Sequence, residues 1–439
     1  MFTDIPDEIF LDLARGNGGA AAVQHLLKMD QDNRRLMLQL LRVTAVRHGH
    51  PEADRVAGAY ALLAEIEREH PQIVRSVLAY PTVGAWLRRT LVALNGDEAG
   101  RAAARPGEVT ALAAAAAVRA GHRCAVEVPV REGGIVLPSL GRALIPGQAE
   151  ALVRVEHDRA EIVAGGSVVR VPADPHQDGP GWQALRLLRV RRGDTSVAFL
   201  LDEHDPDRAA EARSTDDRLG EGELAHWQAM LDEAWPMLAA RHRVTAEEVA
   251  ASIRVLTPLV GSEQHPTSTT PLHALGSIGL STPPNPHFLA VTLAHEVQHT
   301  KLTALLGGMP LTGPDDGARY YAPWREDPRP ADGLLQGTYA HLGITAFWRR
   351  QREHESGDLR RHADTEFARW REATELGART LADSGRLTPK GEGFVAELRR
   401  TLRPWLREPV DDEALERARK AADAHRMRWL SRHGAPSPL

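Results

Sequence analysis

One cysteine, Cys124, in 439 residues leaves no internal disulfide and no thiolate cluster for zinc. Lysine is almost as scarce. The 54 basic residues include only Lys28, Lys301, Lys390 and Lys420 as lysines. Together with the alanine excess, this skew reflects genome base composition more than chemistry. Charge of one sign is also missing: a net −5 gives no general pull toward nucleic acid or membrane. No apolar run reaches the length of a membrane span, since Ala111 to Val118 stops at Arg119. The first residues, Met1 to Glu8, carry acids where a signal peptide needs bases and an apolar core, so a cytoplasmic protein is expected. What remains is ordinary for a soluble globular chain: 42% hydrophobic and 26% charged residues, with length for two to four domains and ample core.

The pattern along the chain predicts a predominantly α-helical α+β fold. Residues 1–122 read as a helical N-terminal region, punctuated at Gly16-Asn17-Gly18-Gly19, Pro51, Pro71, Pro81 and Pro106-Gly107. Residues 123–205 are β-rich, with short runs such as Val126 to Val130 and Ser167 to Val171, and read as a small antiparallel unit. Polar loops are expected over 202–220 and 261–270. Residues 221–439 read as a helical catalytic region, with helices over about 223–241, 245–252, 286–306, 333–352, 358–381, 390–407 and 411–433 and a strand over 253–260. Thr245 and Glu248 suit a capping box at the second of these helices. Residues 341–439 interleave 20 basic and 16 acidic residues, which favours solvated helix faces over a nucleic-acid surface.

The most informative run is Leu293-Ala294-His295-Glu296-Val297-Gln298-His299. Two histidines at i and i+4 share one helix face, so both imidazoles can grip one divalent metal. Glu296 lies on the same turn and can reach a water polarised by that metal. A surface helix with two incidental histidines is the bland alternative. The context argues against it: a strand-like Ser277 to Ser281, the breakers Pro283-Pro284-Asn285-Pro286, and apolar positions Phe288, Leu289, Val291, Leu293 and Leu302.

A metal needs a further ligand. Leu302 and Leu305 stand where a metzincin would have glycine and histidine. Downstream, Glu326, Glu353 and Glu355 occupy a proline-flanked loop and a polar helix end, poor settings for a gluzincin ligand. His341, in the apolar helix Gly337 to Trp348 with its small residues, is the better candidate; a satisfied core histidine is the alternative. Gln336 and Asp332 on the same helix are the fallbacks. Three neutral imidazoles suit Zn(II) or Fe(II) and do not decide between them.

Four stretches resemble the bacterial HExxH-motif peptide-modification proteins encoded beside ribosomally made peptide precursors. They are Ile5-Pro6-Asp7 through Gly16, Val77-Leu78-Ala79-Tyr80-Pro81-Thr82-Val83-Gly84-Ala85-Trp86-Leu87, Gly276 through Leu302, and Asp327-Pro328-Arg329-Pro330 through Leu342. The last two are the specific ones. The resemblance implies a tailoring enzyme of ribosomally synthesised, post-translationally modified peptides, with the precursor peptide as partner. Members can act as Fe(II)- and 2-oxoglutarate-dependent β-hydroxylases of peptide side chains. Some relatives carry histidine at the position of Gln336, which leaves open which residue of that helix completes the site.

A 2-oxoglutarate enzyme needs a cation for the distal carboxylate, and arginine binds it bidentately. Arg325 and Arg329 lie between the two histidine helices; they either serve so or pair with Glu326 and Asp327 to pin the loop. Tyr321 and Trp324 either wall the pocket or pack that loop. Thr267-Ser268-Thr269-Thr270 either lines a peptide groove or is a plain polar loop. Three functions therefore compete: peptide hydroxylation at non-haem iron, a zinc peptidase with Glu296 as general base, and a peptide-binding module with a structural metal.

Overall fold

The computed structural model describes residues 5–193, 195–208, 218–261 and 266–434. The parts of the two expected loops at 209–217 and 262–265 lie outside them. The fold is predominantly helical α+β. The helical N-terminal part is α1 (Asp7–Ala14), α2 (Gly19–Arg47), α3 (Ala53–Glu69), α4 (Pro71–Leu78), α5 (Pro81–Leu94), α6 (Glu98–Ala103) and α7 (Val109–Ala120). Pro71 and Pro81 open α4 and α5, where a missing N–H costs nothing. The alanines of α7 let it pass through the core with Ala113 to Ala117 fully buried. Gly121 ends α7 in the left-handed conformation, φ 61°.

The β-rich part is β1 (Cys124–Pro129), β2 (Gly134–Leu137), β3 (Gly141–Leu144), β4 (Glu150–Glu156), β5 (Arg159–Ala164), β6 (Ser167–Val171), β7 (Trp182–Ala184), β8 (Arg186–Arg192) and β9 (Thr195–Leu201). Its strands do not form one unit. One antiparallel sheet runs β1-β4-β5-β6 and another β2-β3-β7. In the first, Ala151, Val153 and Val155 alternate inward, Ala151 pairing with Val128 of β1 and Val153 and Val155 with Ile162 and Ala160 of β5, all buried.

The remaining two strands join the C-terminal part. That part contains α8 (Glu221–Arg241), α9 (Arg243–Ser252), β10 (Val255–Pro258), β11 (Ser268–Thr269), β12 (Ser277–Leu280) and α10 (Pro286–Leu306). It continues with α11 (Ala331–Gln351), α12 (Gly357–Asp383), α13 (Pro389–Leu406) and α14 (Asp412–His433). A five-stranded mixed sheet runs β11-β12-β10-β9-β8, with β10 parallel to both β9 and β12. Both β10 and β12 are buried along their whole length, as parallel central strands are. The sequence patterns marked these strands but carry no signal for a partner some fifty residues away.

Thr245 falls inside α9, which starts at Arg243 straight after α8 and His242. The expected capping box is therefore absent. Glu248 instead bonds the buried Lys301 Nζ at 2.8 Å and the Gly19 N–H at 3.1 Å. Lys301 also donates to the Gly16 carbonyl at 3.1 Å, and Gln298 does the same at 3.1 Å. The turn between α1 and α2 is thereby fastened to the motif helix. Among the described residues, no helix is long and apolar enough to cross a membrane.

Candidate metal centre

α10 follows β12 after the proline breakers. Asn285 caps it, its side chain accepting from the Phe288 N–H at 2.8 Å, and Pro286 occupies the first turn. Leu289, Ala290, Leu293, Ala294, Val297, Leu302 and Leu305 are all buried, so α10 runs through the core rather than over it. Gly343 brings α11 against α10: a Cβ there would stand 2.7 Å from the Ala294 carbonyl oxygen. That close approach carries His341 to the motif.

The rings of His295 and His299 are 4.8 Å apart, and those of His295 and His341 5.2 Å, both edge to face. A metal–nitrogen bond of about 2 Å puts two tetrahedral imidazole ligands at a ring spacing of about 5 Å. His295 thus has ligand spacing to each of the other two rings. They are gathered but not closed on a point: among the described residues, no three His, Cys, Asp or Glu side chains stand in metal-holding geometry. Backbone packing sets the gathering.

The hydrogen bonds prepare the nitrogens. His341 Nδ1 lies 2.8 Å from the Gly337 carbonyl, so it carries the proton and leaves Nε2 bare. His299 Nδ1 lies 3.1 Å from Gln336 Oε1, with the same consequence. The Gln336 amide is oriented in turn by donating to Thr303 Oγ1 at 3.3 Å. Gln336 therefore stands behind a candidate ligand, the usual place for a residue that fixes a histidine's tautomer. Asp332 is exposed at the start of α11, accepting from the Gly333 N–H.

Burial holds His295 down to about 4 and His341 well below the ordinary histidine range, so both rings are neutral. His295 Nδ1 is buried with no partner. Three gathered imidazoles, with an orphaned nitrogen on the central ring, are a donor set that fits a divalent cation.

Glu296 is 1% exposed. Thr270, the residue after β11, donates its hydroxyl to Glu296 Oε2 at 2.6 Å. The other carboxylate oxygen is 3.9 Å from His295 Nε2. Trp324 stacks flat on His341, centroids 4.3 Å apart, and Trp370 of α12 covers another side at 4.7 Å. Trp324 fits because Gly337 has no Cβ, which would otherwise lie 2.3 Å from the indole nitrogen.

The other expected residues lie as follows. Arg325 Nε donates to Asp327 Oδ1 at 2.7 Å, and Arg329 to Asp327 Oδ2 at 3.1 Å. Tyr321 shares a hydrogen bond with His425 Nδ1 at 2.9 Å and packs edge-on against Trp429, both on α14. Glu326 pairs with Arg432 of the same helix. The segment is thereby strapped to α14. Thr270, Thr303 and Trp370 complete the surroundings. Trp370 gave no sequence signal, because its position depends on how α12 crosses α11.

In comparisons with known proteins, no family model and no curated protein matches the chain.

Proposed function

We propose that the chain is a metal-dependent tailoring enzyme for a ribosomally made precursor peptide, hydroxylating a side-chain β-carbon with iron(II) and 2-oxoglutarate. The observation that supports the metal-dependent part is the gathering of His295, His299 and His341 beside buried Glu296. The oxidative part rests on the sequence resemblance.

When bound, iron(II) and 2-oxoglutarate would, together with O2, supply insertion of one oxygen atom into a C–H bond, the other oxygen atom going into succinate as 2-oxoglutarate loses CO2. The chain's own residues hold and shield. Gln336 and the Gly337 carbonyl fix the two Nε2 lone pairs, and Trp324 and Trp370 keep water from His341. β11 is the outer strand of its sheet, and an extended peptide added to that edge would run past Thr270 and Glu296. Arg325 and Arg329 each give one nitrogen to Asp327, so a 2-oxoglutarate carboxylate bound by either would take the remaining guanidinium N–H groups. A cytoplasmic location and a lack of nucleic-acid partners go with this reading.

A zinc peptidase is the second reading, favoured by Glu296 flanking His295 at 3.9 Å, where a general base for water would stand. The test incubates protein purified without chelator with the neighbouring precursor peptide and iron(II) plus 2-oxoglutarate, or zinc(II), and weighs the peptide. Gain of one oxygen atom with iron supports hydroxylation, and cleavage with zinc supports the peptidase. An unchanged peptide in both arms contradicts both.

A further inference from the structure

A cavity of about 340 Å³ lies between α2, α5, the C-terminal end of α10 and the segment after β11. That is the size of a small-ligand pocket. Two of its walls lead there from the histidine cluster. Thr303 lines it and stands four residues after His299, one turn further along the same face of α10. The same Thr303 accepts from the Gln336 amide that bonds His299. On the other side, Leu272 lines the cavity two residues after Thr270, whose hydroxyl bonds Glu296. An extended chain lying past Thr270 and Glu296 can therefore continue into it.

The walls are apolar and adaptable. Met29 and Met37 of α2 are half-buried in the lining, and methionine repacks around occupants of different shape. Leu36 of α2 and Leu272 also line it, yet they are 57% and 55% exposed. Two such leucines on one cavity make a patch rather than the scattered single residues of an ordinary surface. Gly308 leaves room at the far end, where a Cβ would lie 2.8 Å from the Met29 methyl.

The rim supplies both an acceptor and a donor. Asp32 and Arg88 are exposed in the lining, and no hydrogen bond or ion pair among the described residues engages either side chain. A carboxylate accepts from main-chain N–H groups, and a guanidinium donates to main-chain carbonyls. Asp30, deeper in the lining, is already held by Arg34 at 2.7 Å, so a charged occupant would lose water among the methionines without a counter-ion. An apolar floor under such a rim is the complement of a peptide with a large apolar side chain. Resting on the reading of the metal centre as one that acts on a peptide, we propose that this cavity takes a large apolar side chain of that substrate, about two to four residues from the residue at the metal. The spacing follows from geometry: His299 to Thr303 is about 6 Å of helix and His295 to Thr303 about 12 Å, while an extended peptide covers about 3.3 Å per residue.

The test uses the full chain, free of metal, with 13C-methyl labels on its 7 methionines. The Met29 and Met37 signals are assigned by their loss in Met29→Leu and Met37→Leu. The probes are a capped peptide Ser-Ala-Ser-Ala-Leu-Ala-Ser-Ala-Ser, the same peptide with Asp in place of Leu, and acetyl-leucinamide. The leucine peptide is expected to move both signals and to bind at least about tenfold more tightly than the aspartate peptide, from burial of the leucine side chain. It is expected to bind about tenfold more tightly than acetyl-leucinamide, from main-chain hydrogen bonds at the rim. Ala304→Trp, which fills the cavity, is expected to abolish the movement. Leu36→Asp, at an exposed position, is the second variant should Ala304→Trp not fold, and is expected to weaken binding about tenfold. No movement with the leucine peptide, or binding of either other probe as tight as its own, overturns the proposal. Manganese(II) is then added, and broadening of the peptide protons by the bound ion reads the spacing. Broadening strongest about two to four residues from the leucine is expected, and a bound peptide left unbroadened by the bound ion overturns the proposal. No uptake of manganese(II) would sink the metal-centre reading instead, with the methyl signals still deciding whether the cavity takes the leucine.

Discussion

Gln336 Oε1 lies 3.1 Å from His299 Nδ1, so the fallback candidate for a metal ligand bonds a histidine of the motif. Gln336→Ala is expected to keep the fold and to weaken metal binding 10- to 100-fold, the usual cost of losing a group behind a ligand. Titration of the chelator-stripped protein with zinc(II) or iron(II) measures it. A complete loss of binding, equal to that of His341→Ala, would make Gln336 the ligand.

Gly343 governs the approach of α11 to α10. A Cβ there meets the Ala294 carbonyl at 2.7 Å and Gln298 Cγ at 2.6 Å, and a backbone oxygen cannot step aside. Gly343→Ala would gain about 1 kcal/mol of helix propensity. Overpacking costs about 1–3 kcal/mol, so net destabilisation is expected together with weaker metal binding. Urea unfolding checks the first and metal titration the second. An unchanged midpoint would show that the helices part without cost.

Glu296 separates the two enzyme readings. Under hydroxylation, Glu296→Gln keeps metal binding and part of the activity, because the amide still accepts from Thr270. Under peptidase chemistry the same change removes turnover while metal stays bound. Product formation by the variant, measured by mass spectrometry alongside metal content, decides between them.

His242 gives the fold an acid sensitivity. Its ring stacks on Phe347 at 4.4 Å and bonds Gln351 Oε1 at 3.0 Å, and burial holds it down to about 4. The unfolded chain takes up the proton first, near pH 6.5. Stability is therefore full above that pH and falls as pH drops toward about 4, by on the order of 3 kcal/mol from this ring. His242→Phe is expected to flatten the pH dependence of the urea midpoint in that window. An unaltered slope would contradict it.

Much of the fold was legible because its signals are local. Proline breakers and the glycine pair at 307–308 bracket α10, and the observed helix is Pro286–Leu306. The i and i+4 spacing put His295 and His299 on one face, and the small residues of the next helix pointed to His341. Legibility ended where a residue's partner is distant in sequence. The parallel pairing of β10 with β9 and β12 has no local signature. Glu248 matched a capping box, yet Lys301, fifty-three residues on, takes its carboxylate. The pairing of Arg325 and Arg329 with Asp327 was one of two open readings, because spacing alone does not say which way an arginine side chain turns.

The claim on which the rest depends is that His295, His299 and His341 hold one ion. Metal content per chain, measured by inorganic mass spectrometry on protein purified without chelator and reloaded with iron(II) or zinc(II), tests it directly. The account predicts one ion per chain in the native protein and none in His295→Ala, with His341→Ala losing the ion at least as fully as His299→Ala. No stoichiometric ion in the native protein, or full retention by His341→Ala, would contradict it.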